Sequence, residues 1–126
     1  MGNAVVHFEL IGPDPARLRA FYGELFGWEA PAGSPVVGRV SAPNEYSFIP
    51  PDAGAPPAAG GIGGGPGFDS HVVFYVGVED VREALAKADR LGAAVVMSPQ
   101  RNEEGQVTVG HFRDPAGNLV GVAGPV

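Results

Sequence analysis

Three histidines, His7, His71 and His111, stand out in this chain of 126 residues. Imidazole is the side chain that both ligates metals and carries protons near neutral pH. Glu9 follows His7 by two positions, so on a strand the two share one face, about 7 Å apart along the chain. A histidine beside a carboxylate offers a base with its orienter. Neighbours at i and i+2 on a strand nevertheless point in parallel rather than at each other. Trp28, Tyr46, Phe48 and Tyr75 offer aromatic walls for a flat ligand, and the same rings equally suit core or interface packing. The chain has no cysteine, which excludes disulfides, thiolate metal sites and a cysteine nucleophile. Its serines (Ser34, Ser41, Ser47, Ser70 and Ser98) sit in no nucleophile motif. Gly61–Gly67 has proline where a dinucleotide loop needs its third glycine, and a strand rather than a helix follows.

The elements that must position these groups are legible from periodicity and punctuation. Val5–Ile11 alternates as a strand, with Val6, Phe8 and Leu10 on one face and Val5, His7, Glu9 and Ile11 on the other. Asp14 and Pro15 open a helix, Leu18, Phe21, Tyr22 and Leu25 form its apolar stripe, and Gly27 ends it. Short strands are expected at Val36–Ser41 and Tyr46–Ile49. Pro50–Gly67 reads as a mobile loop with one irregular edge strand around Ala59–Gly63. His71–Val76 is a strand whose Val72 and Phe74 should lie beneath a helix. That helix begins after Asp80, with Glu83 completing a capping box, and ends at Gly92. Ala94–Met97 is a strand. Gln106–Arg113 and Asn118–Ala123 form a hairpin about the type I turn Asp114-Pro115-Ala116-Gly117.

The two halves correspond. His7 and His71 each start a strand, 64 residues apart, and Gly27 and Gly92 each end a helix, 65 residues apart. This repeat predicts an α+β fold of two βαβββ modules around a shared cleft, with module one at about 1–63 and module two at about 68–126.

Composition narrows the functional classes. Apolar residues make up 44% and charged residues 17%, the balance of a chain with a packed core. Twelve of the glycines and prolines crowd into residues 50–67. Eight basic residues face 14 acidic ones, a net charge of −6, with no basic patch. Nucleic acid and anionic membrane are therefore not expected partners, and cationic small molecules are mildly favoured. No apolar run is long enough to span a bilayer, and the N-terminus lacks a signal-peptide pattern. The expected compartment is the cytoplasm.

His7-Phe8-Glu9-Leu10, Phe21-Tyr22, Phe26-Gly27-Trp28, His71-Val72-Val73-Phe74 and Phe112–Asn118, taken in order, resemble the vicinal oxygen chelate superfamily. That superfamily includes glyoxalase I, extradiol dioxygenases and bleomycin-resistance proteins. The resemblance spans nearly the whole chain. It implies metal ligands on the first and last strands of each module: a histidine or glutamine on the first, a glutamate on the last. His7 and His71 match the first-strand positions. The final-strand glutamate position, three residues after Asn118, is Gly121, and residues 53–68 contain no Asp, Glu, His or Asn. Two imidazoles alone hold a divalent ion weakly, since catalytic zinc sites have three protein ligands. Glu9 or His111 would have to complete the set.

The expectation is a metal-independent protein, without cofactor, that binds small molecules and sequesters drugs in the manner of resistance proteins. Its ligand-binding cleft would be lined by His7, Glu9, Trp28, Tyr46, Phe48, His71, Tyr75 and His111. The ligand would be neutral or cationic and partly aromatic. Pro50–Gly67 would order over it as a lid. A two-fold homodimer is expected, closing the exposed strand edges and open cleft. The alternative is a metal-dependent lyase, isomerase or dioxygenase using a divalent transition metal on His7, His71 and Glu9.

Overall fold

The computed structural model describes residues 2–31, 33–49 and 59–126. Among these residues are two helices and seven strands, distributed over two compact units. One unit is His7–Val72; the other joins the N-terminal residues through Val6 to Val73–Val126.

In the His7–Val72 unit the strands are ordered β2-β3-β1, with β1 at Val5–Gly12, β2 at Ser47–Ile49 and β3 at Ala59–Gly64. β1 runs parallel to β3, with Glu9 opposite Gly61 and Leu10 opposite Ile62. β2 runs antiparallel to β3, with Phe48 opposite Gly61 and Ser47 opposite Ile62. Paired residues share a face. His7, Glu9 and Phe48 therefore lie on one side of this sheet, and Phe8, Leu10, Ser47 and Ile62 on the other.

Helix α1 spans Pro15–Phe26. Asp14 caps it through the Arg17 amide at 3.2 Å, and Gly27 closes it in the left-handed conformation, with φ 70°. The cap and the stop follow from residue types: a short carboxylate accepts an orphan N–H, and glycine adopts positive φ without steric cost. The apolar stripe splits, however. Leu18 and Tyr22 turn inward beside Leu10, whereas Phe21, Leu25 and Phe26 are more than half exposed.

Two expectations for this unit are corrected. Val36–Ser41 is a turn, not a strand: Val40 N donates to the Val37 carbonyl at 2.9 Å. The Ser41 hydroxyl fastens this turn to Gly64, accepting from its amide at 2.9 Å and donating to its carbonyl at 3.2 Å. The unit is thus β–α–β–β among the described residues. Ala59–Gly64 is an inner strand, paired on both sides, rather than an edge or a lid. Its glycines serve close approach. A side chain on Gly60 would overlap the Phe8 ring, and one on Gly61 or Gly63 would overlap Tyr46. Glycine in a strand marks such contacts as readily as it marks flexibility. The prolines at 50–57 lie outside the described residues.

The second unit has strands in the order β4-β7-β6-β5: β4 is His71–Gly77, β5 Ala94–Asn102, β6 Val107–Arg113 and β7 Leu119–Gly124. β5 runs beyond its expected end. It tolerates Pro99 because it is an edge strand with register shifts on either side of Met97. Helix α2, Val81–Arg90, is capped by Asp80 through the Glu83 amide at 3.1 Å. Its buried Val81 and Leu85 pack against Val122. α2 lies over β5, β6 and β7, and Val72 and Phe74, expected beneath it, are instead exposed. Val73 and Tyr75 are buried. The hairpin turn forms as read: Gly117 N donates to the Asp114 carbonyl at 2.8 Å.

Candidate functional site

β1 brings His7 and Glu9 to one face, and the segment entering β2 supplies what the strand alone cannot. The Tyr46 hydroxyl stands between them, 2.7 Å from His7 Nε2 and 2.9 Å from Glu9 Oε1. A carboxylate accepts, so Tyr46 donates to Glu9. Its single proton is then committed, and His7 Nε2 carries the hydrogen donated to the Tyr46 oxygen. Tyr46 and Glu9 are almost fully buried, at 1% and 2% exposure, and His7 is half-buried. Phe48, nearly half exposed, sets its ring edge-on to His7 at 5.8 Å and to Tyr46 at 5.2 Å. The result is a hydrogen-bonded chain that begins at a partly accessible imidazole beside an open aromatic face and ends on a sequestered carboxylate. Such a chain orients each member and can pass a proton along its length.

Gly61 makes this possible. It lies opposite both Glu9 and Phe48, and Tyr46 occupies the space its side chain would take.

The second unit holds a shorter pair. The Tyr75 hydroxyl and His111 Nε2 share a hydrogen bond of 2.6 Å, with the rings 5.4 Å apart. Both residues are buried. The Tyr75 ring fills the space over Gly121, which β4–β7 pairing sets directly beside it.

The remaining expected residues go elsewhere. His71 Nδ1 donates to the Asp69 carbonyl at 2.9 Å. Its ring borders a small cavity of about 290 Å³ with Leu18, Tyr22 and Ser70. Trp28 does not join Tyr46 and Phe48. It packs with Phe8 at 5.8 Å, Tyr22 at 5.5 Å and Phe26 at 5.1 Å, on the side of β1 opposite His7.

These positions test a metal on His7, His71 and Glu9. One tyrosine hydroxyl engages both His7 Nε2 and Glu9 Oε1, and the His71 imidazole is held to the Asp69 carbonyl. Among the described residues no group of three or more His, Cys, Asp or Glu side chains is placed to hold an ion. The described residues do not fit a metal centre. Sequence reading missed Tyr46 as the bridge. Only its aromatic character was visible, because the link spans 37 residues of chain.

The two helices and seven strands of the described residues, each unit opening with a strand and a helix, define the α+β fold of the vicinal oxygen chelate type. The family model described as the glyoxalase/bleomycin resistance protein/dioxygenase superfamily matches residues 4–122, and the chain belongs to that superfamily. No curated protein sequence matches the chain. Among solved structures it is similar to a Streptomyces coelicolor methylmalonyl-CoA epimerase in complex with 2-nitronate-propionyl-CoA, with TM-score 0.68, 15% identity, and 98% of each chain covered. A hypothetical protein from Bacillus halodurans C-125 gives TM-score 0.70 at 10% identity, covering 100% of this chain and 96% of that one. The Mn(II)-bound glyoxalase from Novosphingobium aromaticivorans gives 0.58 at 17% identity, covering 95% of this chain and 37% of that one. At these identities the likeness concerns the fold. In the described residues no helix is long and apolar enough to cross a membrane.

Proposed function

We propose that this chain is a metal-independent small-molecule binding protein of the superfamily, using the face formed by His7, Tyr46, Glu9 and Phe48. The observation that carries this reading is the Tyr46 hydroxyl seated between His7 and Glu9 over Gly61. At Gly121, where the resemblance implies a glutamate, this chain presents tyrosine over glycine, and Tyr46 over Gly61 repeats the arrangement. A tyrosine-linked carboxylate favours neutral or cationic ligands, since burying an anion beside Glu9 opposes like charges. The exposed Phe48 ring supports a flat, partly aromatic ligand that stacks on it. Sequestration of such a molecule in the cytoplasm is the role this supports.

The test joins elemental analysis of untagged protein to a thermal-shift screen of aromatic cations, neutral aromatics and phosphorylated compounds. Substoichiometric metal, with stabilisation by neutral or cationic aromatics that is lost in Phe48→Ala, is the expected result. About one equivalent of transition metal, lost in His7→Ala, would overturn the reading in favour of a metal-dependent lyase, isomerase or dioxygenase. Stabilisation by phosphorylated ligands alone would also overturn it.

A further inference from the structure

A cavity of about 380 Å³ lies wholly within the Val73–Val126 unit, between the start of α2 and strands β5 and β6. That volume is in the range of small-molecule pockets. Thr108 reaches it from the sheet. β6–β7 pairing sets Thr108 opposite Gly124, and a side chain on Gly124 would meet Val81 Cγ2 at 3.3 Å. Paired residues share a face, so Thr108 points toward the start of α2 and the cavity it borders with Val81. Arg101, opposite Thr108 on β5, stands on the same face. Thr108 is 7% exposed, yet its hydroxyl takes no hydrogen bond among the described residues. It is not sealed in the core as the Ser47 hydroxyl is, so it opens onto the cavity. A buried hydroxyl without a partner carries a desolvation cost that a ligand atom bonded to it removes.

Charges of both signs rim the same space. Arg82 and Glu79 take no ion-pair partner among the described residues, and the ion pair of Arg101 is an exposed contact of 3.5 Å with Glu103. Asp80, also on the rim, caps α2 through the Glu83 amide. We propose that this cavity binds a small zwitterion, a free α-amino acid with an aliphatic side chain. Its carboxylate lies on Arg101 and Arg82 and accepts from the Thr108 hydroxyl, because guanidinium forks match the two carboxylate oxygens. Its ammonium faces Glu79, and its side chain rests on Val81 and Pro99. The rim selects a ligand bearing both charges. Glu79 and Asp80 repel a simple anion, and the two guanidinium groups repel a simple cation. The site shares no residue with the His7–Tyr46–Glu9 face. Its arginines and Glu79 are exposed, and solvent screening limits the dissociation constant to about the millimolar range.

Titration of the full chain with L-leucine, followed by proton–nitrogen correlation NMR, tests this. Two analogues serve as controls: leucine amide lacks the carboxylate and N-acetyl-leucine lacks the ammonium. Leucine should shift the Val81, Arg82 and Thr108 amides with saturation at about 10 mM or below, and each analogue should bind at least about fivefold more weakly. Thr108→Val keeps the side-chain shape and removes the hydroxyl, and should weaken leucine binding about tenfold. Arg101→Gln, at an exposed position that the fold tolerates, should weaken it by a similar factor. Absence of saturation by about 20 mM leucine overturns the proposal. So does equal binding of N-acetyl-leucine, which would make this a plain anion site, or unchanged affinity in Arg101→Gln.

Discussion

The Tyr75 ring lies where any side chain on Gly121 would have to stand. Gly121 is the final-strand position at which the family resemblance implies a glutamate. The space beside Gly121 is therefore not empty: a buried aromatic fills it, and its hydroxyl is bonded to His111. Tyr46 repeats the arrangement over Gly61, bonded to His7 and Glu9.

Restoring the carboxylate alone should fail. Gly121→Glu forces the Tyr75 ring out of a packed core, and overpacking of this kind costs about 1–3 kcal/mol or more. Gly121→Glu with Tyr75→Ala should recover part of that loss by vacating the space. Urea unfolding of both variants and the wild type checks this. A single variant as stable as wild type would show that Tyr75 does not fill the position.

Tyr46→Phe keeps the ring and removes only the hydroxyl between His7 and Glu9. Removing a hydrogen-bond donor from a buried carboxylate costs about 1–3 kcal/mol. The variant should therefore unfold at lower urea with an unchanged slope, and ligands recognised in the thermal-shift screen should bind it more weakly. Unchanged stability would separate the hydroxyl from the Glu9 carboxylate.

Ser47 gives the opposite sign. Its hydroxyl is fully buried and has no hydrogen-bond partner among the described residues, on the face of β2 that shares Ile62 and Leu10. An unpartnered buried hydroxyl costs about 1–3 kcal/mol, so Ser47→Ala should leave stability unchanged or raise it by about 1 kcal/mol after the small lost volume. A clear loss of stability in chemical denaturation would mean that the hydroxyl has an undetected partner.

The β6–β7 turn carries an acid-sensitive element. The Asn118 side-chain amide, at 3.0 Å, together with backbone amides of the turn, holds the Asp114 carboxyl below its ordinary 3.8. A depressed carboxyl stabilises the fold when ionised. Its contribution is complete above the unfolded value and fades as pH falls through the lower folded value. The Asp114 carboxyl carbon should titrate by NMR with a midpoint below 3.8, and Asn118→Ala should move that midpoint upward. A wild-type midpoint at or above 3.8 contradicts this.

Local physics made much of this molecule legible from the chain alone. Asp14 and Asp80 cap their helices, Gly27 stops α1 and Asp114–Gly117 turns the last hairpin, because each needs only near neighbours and a preferred dihedral. Strand alternation likewise put His7 and Glu9 on one face, and the family followed from the order of such motifs. What the chain could not disclose depends on contacts between distant segments. Gly60, Gly61 and Gly63 are compatible with a loop or a strand, and only the rings of Phe8 and Tyr46 pressing on them decide for an inner strand. Trp28 and Tyr46 are equally aromatic in sequence, yet tertiary packing sends Trp28 to Phe8 and Tyr46 to His7. The union of His7, Tyr46 and Glu9 is of the same kind: one hydroxyl reaching two side chains more than 35 residues away, a relationship of register and packing rather than of local propensity.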